Sequence, residues 1–203
     1  QAAPTAQAAP DAALVRQLAD DDNSRKVEAI RQLTQAADPD SARILKAMAD
    51  DSLYLAGDKV LIIDGDQAFD ATTGKPVKAP ESPDSLTINN RIRGELANAL
   101  AALKLFDPDR ALRLESATKL QSKVDPEMAP LLARALLQES DAEIKAMLTL
   151  AHAQANLGNP DPLARLAAVK ALSETTSPTV RSLLLPLTQK ETEADDRVRY
   201  KAI

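Results

Sequence analysis

Three pairs of helix-start signals recur along this chain of 203 residues, each pair eighteen residues apart. They are Asp20 with Asp38, Asp107 with Asp125, and Asn159 with Ser177, and proline follows five of the six. An Asx or Ser side chain accepts hydrogen bonds from the free amides of a helix's first turn, and proline suits the first helical position because no donor is needed there. The chain therefore predicts the same pair of helices three times.

A shift of 52 residues superimposes much of the second half of the sequence on itself. Asp107 falls on Asn159, Arg113 on Arg165, and Leu120 on Leu172. The unit contains three helices, which we expect near 108–121, 126–139 and 141–157 in the middle copy. In the first copy, two helices fit with a shift of 87 and the third with a shift of 52, so an insertion of 35 residues lies near 54–88.

The first helix of each copy carries a basic residue, a small residue three positions later and a leucine four positions after that. The triplets are Lys26, Ala29 and Leu33; Arg113, Ser116 and Leu120; Arg165, Ala168 and Leu172. The small residue and the leucine share one helix face, and we expect the basic residue to reach an acidic loop of the adjacent repeat. Units of this kind bury their apolar stripe against their neighbours. The pattern predicts an all-α, HEAT-like α-solenoid of three 52-residue-type repeats with a small β-hairpin insertion; an ordinary helical bundle is the alternative.

The repeat also divides the chain. We assign a flexible N-terminal tail and helix lead-in to 1–19, the first two helices of the first repeat to 20–53, the insertion to 54–89, its third helix to 90–106, the second repeat to 107–158 and a truncated third repeat to 159–203. An amphipathic helix is predicted to begin at Asp195, and the sequence ends inside this helix, at Ile203. We therefore expect the chain to be a piece of a longer protein.

The insertion has the composition of short strands rather than of helices. It contains a β-rich run at Lys59–Ile63, followed by a turn signal at Asp64-Gly65-Asp66. Return strands are expected near Ala68–Asp70 and Lys75–Val77, with another near Leu86–Ile88. We expect a small β-hairpin or meander that projects from the helices, and exposed insertions of this kind often carry binding.

Composition argues against several kinds of chemistry. The chain has no cysteine and one histidine, His152, so neither a thiolate nor a nucleophilic triad is predicted. The glycines are too widely spaced for a phosphate-binding loop, and a net charge of −5 with alternating signs does not suit nucleic acid. Asp64, Asp66 and Asp70 lack the further ligands of a calcium loop, so we interpret them as solvated turn residues. We predict no enzyme activity, metal or cofactor.

The segment Asn89-Asn90-Arg91-Ile92-Arg93 is dense in polar groups. A helix N-cap with two exposed arginines is the favoured interpretation, and the alternative is that the arginines anchor the insertion or bind an acidic partner or a membrane-proximal surface. The residues predicted to bind a partner are Asp64, Asp66, Phe69, Asp70, Asn89, Asn90, Arg91 and Arg93.

Two motifs in and beside the insertion are familiar. Asp70-Ala71-Thr72-Thr73-Gly74 followed by Asn89 to Arg93, within HEAT-like units, resembles the N-terminal extracytoplasmic region of the permease subunit of bacterial urea ABC transporters, which are permeases of the branched-chain amino acid type. The resemblance covers most of the chain. It implies a periplasmic domain of an inner-membrane protein, with a signal segment before Gln1 and a membrane domain after Ile203. It carries over no catalytic or urea-binding residue.

The resemblance leads to the functional expectation. We expect a non-enzymatic domain that docks the periplasmic solute-binding protein or another transporter subunit, with the membrane reached through the missing C-terminal part and no nucleic-acid partner. The alternative is a free-standing HEAT-repeat adaptor for protein–protein interaction. An accessory protein similar to the HEAT-like bilin lyases is disfavoured because cysteine is absent.

Overall fold

A computed structural model describes residues 9–121, 124–174 and 178–203. The chain forms two compact units, Gln1–Lys104 and Leu105–Ile203. It is mostly helical and contains one antiparallel sheet of five strands. The predicted helix start at Ser177 and residues 1–8 of the predicted N-terminal tail lie outside the described residues.

The first unit is built on four helices: α1 (Ala12–Gln17), α2 (Asn23–Ala36), α3 (Pro39–Ala49) and α4 (Asn90–Leu103), with a 3-10 turn at Lys104–Phe106 after them. The helices α2, α3 and α4 pack on one another. Leu33, Ile44 and Leu96 lie in the core that they share, and almost none of their surface is exposed. These three helices are the three helices predicted for the first repeat.

The insertion between α3 and α4 forms a larger sheet than the predicted hairpin. Its strands are β1 (Leu53–Ala56), β2 (Lys59–Asp64), β3 (Gln67–Asp70), β4 (Pro76–Val77) and β5 (Asp84–Ser85), in the order β4-β3-β2-β1-β5. The all-α class was therefore too narrow. The strand expected at Leu86–Ile88 is also wrong, because Leu86 and Ile88 pack against the helical core while β5 pairs with β1 just before them.

The two faces of the sheet differ. Leu53, Val60 and, less deeply, Leu55 and Ile62 belong to the helical core, and the register pairs Leu53 with Ile62 and Leu55 with Val60. Because side chains alternate along a strand, the opposite face carries the intervening residues. That outer face includes the apolar residues Tyr54, Leu61, Ile63, Ala68 and Val77, together with Asp70, which pairs with Leu61.

The second unit contains six helices and two 3-10 turns in its described part. They are α5 (Arg110–Leu120), a 3-10 turn at Pro126–Met128, α6 (Ala129–Gln138), α7 (Ala142–Asn156), α8 (Pro162–Ser173), α9 (Pro178–Leu184), a 3-10 turn at Leu185–Thr188, and α10 (Asp196–Ala202). Helix α7 packs against both α5 and α8, and α10 packs against α8. The second and third copies of the predicted unit therefore adjoin within this half of the chain.

Three predicted helix starts were displaced by two residues. The capping residues of α2, α5 and α8 are Asp22, Asp109 and Asp161, whose side chains accept hydrogen bonds from the first turn. The predicted caps Asp20, Asp107 and Asn159 instead accept the backbone N–H of these true caps, at 2.8–2.9 Å. At each of these helix starts, two Asx residues lie two positions apart and each accepts a backbone N–H. The sequence pattern identified the first of the two, whereas the second one caps the helix. The predicted caps Asp38 and Asp125 are confirmed.

The third helix of each copy begins alike. Asn89, Asp141 and Asp195 cap α4, α7 and α10, and the third residue after each cap is fully buried: Ile92, Ile144 and Val198. The spacing is 52 residues and then 54, so the repeat is present in the structure and the third copy reaches its third helix two residues later.

Candidate functional site

A cation clamp recurs in all three copies. Arg113 on α5 binds Glu139, with Nε 2.9 Å from Oε2, and Arg165 on α8 binds Glu193, with Nε 2.6 Å from Oε2. Each glutamate lies two residues before the cap of the copy's third helix and also accepts the N–H of that cap. The basic residue therefore contacts its own repeat, and the expectation of a bond to the adjacent repeat was wrong.

In the first copy, the same clamp holds the insertion. Lys26 on α2 is only 4% exposed, and its Nζ donates a hydrogen bond of 2.8 Å to the backbone carbonyl of Thr87. Thr87 occupies the place that Glu139 and Glu193 hold in the other copies, two residues before the cap Asn89. The clamp is thus kept although the carboxylate is missing, because the end of the insertion supplies a carbonyl oxygen instead.

The clamps favour the ionised glutamates. For Glu193, the hydrogen bond from Arg165 lowers the pKa, and this outweighs the opposing effect of burial. For Glu139, burial by itself raises the pKa, but the hydrogen bonds from Arg113 and from the N–H of Asp141 more than offset it, so the pKa is below its usual range. Both charges are therefore part of the fold rather than poised to transfer a proton.

Two further arginines tie the sheet to the helices. Arg43 on α3 donates through Nη2 to the carbonyl of Ala71 at 3.0 Å, just after β3, and the same nitrogen is 3.2 Å from Oδ1 of Asp40. Arg93 on α4 donates to both carboxylate oxygens of Asp51, at 3.0 and 3.1 Å, just before β1. With Lys26, each of the three repeat helices thus holds one point of the insertion.

The turn after β3 accounts for the motif Asp70 to Gly74. One oxygen of Asp70 accepts the N–H groups of Thr72 and Thr73, at 2.9 and 3.0 Å, and its carbonyl accepts the N–H of Gly74. Gly74 has φ +67°, where an L side chain is strained, and a Cβ there would lie 3.4 Å from Nη2 of Arg43. Asp70, predicted to bind a partner, is therefore occupied in shaping this turn.

The other acidic candidates lie at the opposite end of β3. Asp64 and Asp66 flank Gly65 in the β2–β3 turn, both are exposed, and the structure gives neither carboxylate a partner in the described residues. The β1–β2 pairing extends to the bond from the N–H of Ile63 to the carbonyl of Ser52. Asp51 and Asp64 are the next residues on the two strands, so they lie at the same end of the pair. Arg93 lies at that end too, because it binds Asp51. We call the exposed group Asp51, Asp64, Asp66 and Arg93 the acidic end of the sheet.

Of the remaining residues predicted to bind a partner, some have a structural role and others are exposed on the surface. Asn89 caps α4 by accepting the N–H of Ile92 at 2.9 Å, which agrees with the N-cap interpretation. Phe69 is half-buried and pairs with Ile62, on the face of the sheet that meets the helices. Asn90 and Arg91 are exposed on the first turn of α4, and no partner is found for their side chains among the described residues.

Three further features of the described residues bear on function. Among them, no group of three or more His, Cys, Asp or Glu side chains is arranged to hold a metal ion. His152 lies half-buried on α7, where burial lowers its pKa, and its ring nitrogen is 3.2 Å from the side-chain nitrogen of Asn156. Within the same ranges, no helix has both the length and the apolar composition that a membrane crossing requires.

Sequence reasoning missed Arg43, Asp51 and Thr87. Each contacts a residue at least 28 positions away, so no local spacing reveals it. A usable signal existed for Thr87, because the 52-residue shift places it on Glu139, the partner of Arg113.

Neither the protein-family models nor the curated proteins contain a match to this chain.

Proposed function

We propose that this chain is a non-enzymatic docking domain in which helical repeats hold a rigid sheet with its acidic end toward a protein partner. We further propose that the domain is the periplasmic part of a urea-type ABC importer permease and that it docks the solute-binding protein or a second transporter subunit. The single observation that carries the docking proposal is the three-point attachment of the sheet.

The attachment distinguishes this insertion from an ordinary surface loop. Lys26, Arg43 and Arg93 stand on three different helices, and they bond to three places spread along the insertion: Thr87, Ala71 and Asp51. A surface held in this way loses little conformational entropy when a partner binds, and pre-organisation of this kind favours affinity. The acidic end is exposed and includes the carboxylates of Asp64 and Asp66, which have no partner among the described residues and suit a protein with a basic patch.

The finer description of the fold is part of the same proposal. The α7–α8 packing joins the second and third copies, with Leu150 and Ala153 of α7 beside Ala168 and Val169 of α8. Stacking of this type is how solenoid repeats bury their apolar stripes. We propose that the three copies form a HEAT-like solenoid with the sheet inserted in the first. The permease assignment depends on the resemblance of Asp70–Gly74 and Asn89–Arg93 to that family.

Fractionation of the full-length native protein tests the permease assignment. A membrane-bound product with several long apolar spans beyond Ile203 supports it. A soluble product that ends near the last helix contradicts it and leaves the free-standing adaptor, whose apolar contact surface would include exposed leucines such as Leu137 and Leu185.

Titration of the purified chain with the solute-binding protein of the same importer tests docking separately. Saturable binding in the micromolar range supports the proposal. Absence of binding at high micromolar concentrations contradicts docking to this partner, whatever the fractionation shows.

A further inference from the structure

The connection between β4 and β5 links the two opposite edges of the sheet. It consists of residues 78–83, while β3, β2 and β1 lie between the strands that it joins. It leaves β4 after Val77, at the level of Ala68 and Ile63, and enters β5 at Asp84, which pairs with Leu55 near the other end of β1. The segment must therefore travel both across the sheet and along it.

The length of the segment restricts its path. Four strand spacings of about 4.8 Å and an offset of about three residues give a diagonal of about 22 Å. Seven extended residue steps from Val77 to Asp84 reach about the same distance, whereas a route around the strand ends needs about 29 Å. Bends at Glu81 and Ser82 use part of this reach, so the twist of the sheet must bring the two corners closer together.

The burial pattern shows which residues face the sheet. Val77, Pro80 and Pro83 are half-buried, while the two pairs of residues between them are exposed. A period of three is that of a polyproline II helix, in which every third residue points the same way. Since helices occupy the inner face, the exposed pairs exclude a path between sheet and helices, and the segment must cross the outer face.

Two residues of the outer face are buried although the helical core lies on the other side. Leu61 is 4% exposed and Ala68 is 3% exposed, yet neither belongs to the helical core of this unit. The chain supplies no other described segment that must cross this face, so the segment 78–83 explains the burial of these two residues. We call it the strap.

The strap has no polar attachment. No hydrogen bond or ion pair is found for residues 78–83 in the described structure, whereas the neighbouring turn at Asp70–Gly74 has several. Only the short pairings of β4 and β5 and the half-buried prolines hold it in place. Lifting it would break no internal hydrogen bond.

The geometry points to a lid: the strap covers an apolar face formed by Tyr54, Leu61, Ile63 and Ala68, and it can lift without unfolding the unit. Opening would present this apolar face, with one aromatic ring, next to the acidic end of the sheet. The closed form keeps Leu61 and Ala68 from water.

Cysteine reactivity tests the lid, because the natural chain has no cysteine. We would place one cysteine under the strap as Ala68→Cys and a control cysteine in the helical core as Ala29→Cys, which is fully buried. Each is compared in the natural strap and in one lengthened by Gly-Ser-Gly between Glu81 and Ser82. We expect the longer strap to raise the rate of modification of Ala68→Cys by a charged thiol reagent at least tenfold and to leave Ala29→Cys unchanged.

Two outcomes would overturn the lid. If Ala68→Cys remains protected with the longer strap, the sheet covers its own face. If both cysteines become reactive, the strap is required for folding of the unit.

The milder variant Pro80→Ala with Pro83→Ala provides a second measurement. In a Tyr200→Phe background, Tyr54 is the only tyrosine. If the strap is a lid, quenching of the Tyr54 fluorescence by acrylamide should be stronger in the proline variant than in the natural strap, and unchanged quenching would contradict the lid.

Discussion

Arg165 and Glu193 meet in a two-point ion pair, with Nε and Nη2 each 2.6 Å from one carboxylate oxygen, and Arg165 also donates to the carbonyls of Asn159 and Pro160. The pair connects the first helix of the third copy to the loop that precedes its third helix. Arg113 and Glu139 repeat the arrangement one copy earlier, including the bonds to the carbonyls of Asp107 and Pro108. The clamp therefore closes each copy on itself.

Removal of one clamp partner should destabilise the second unit. The side chain of Glu193 is 1% exposed, so Glu193→Ala leaves the guanidinium of Arg165 without its carboxylate. Breaking buried pairs is costly, but the side chain of Arg165 is 17% exposed, so we expect a moderate loss of about 2 kcal/mol in the free energy of unfolding. The matched change Glu143→Ala removes an exposed partner of Arg110 and should have no measurable effect. Urea denaturation followed by circular dichroism measures both; equal effects would contradict the clamp.

The clamps should also set the acid stability of the second unit. The pKa values of Glu139 and Glu193 are lower in the folded chain than the unfolded value of 4.5, so ionisation favours the fold. Their contribution is complete above about pH 4.5 and is lost as pH falls through the folded pKa values. The double variant Glu139→Gln with Glu193→Gln should therefore lose less stability than the natural chain below pH 4.5. Parallel pH dependence of the two melting temperatures would refute this linkage.

Two glycine substitutions should act in opposite directions within the first unit. Gly74→Ala places a side chain at φ +67° and crowds Arg43, so we expect a loss of about 1 kcal/mol or more. Gly94→Ala lies within α4, has open space around it and improves helix propensity, so we expect a gain of about 0.5–1 kcal/mol. Thermal unfolding of the two variants checks the pair, and a loss in both would show that the turn is not special.

The leucines of the repeated triplet should differ in their cost. Leu172 is fully buried among α8, α9 and α10 side chains, and Leu172→Ala should cost about 2–5 kcal/mol. Leu120 is only half-buried, so Leu120→Ala should cost less than that, and Leu163→Ala, which is 59% exposed, serves as the neutral control. An equal loss at Leu120 and Leu172 would argue against the packing seen at the two sites.

What the sequence revealed was the local and periodic part of the fold. The 52-residue shift predicted the three-helix copies because Ile92 and Ile144 occupy equivalent buried positions, as does Val198 after a shift of 54. The caps were displaced because Asp20 and Asp22 both satisfy the local pattern for a cap, and only the geometry separates the first Asx motif from the second. A local sequence pattern cannot locate a helix start when two neighbouring residues both fit the preference for a cap.

The sheet was underestimated for a different reason. Strand β4 lies within the return strand expected near Lys75–Val77, whereas β1 and β5 were not predicted. Strand β5 is two residues long and contains Asp84, which disfavours strands. It pairs because β1 offers an open edge, and no sequence window records that. The attachments through Arg43 and Arg93 likewise join distant residues, so the sequence named Arg93 as a candidate anchor without naming Asp51.

The most direct test of the docking account compares two charge-matched variants in a titration with the solute-binding protein. Asp64→Asn with Asp66→Asn neutralises the acidic end, and Glu174→Gln with Glu191→Gln neutralises two exposed carboxylates of the second unit. Circular dichroism first establishes that all forms are folded. The account predicts at least tenfold weaker binding for the Asp64/Asp66 variant and natural affinity for the Glu174/Glu191 variant. Equal affinity of both variants, or no binding by the natural chain at high micromolar concentration, would contradict it.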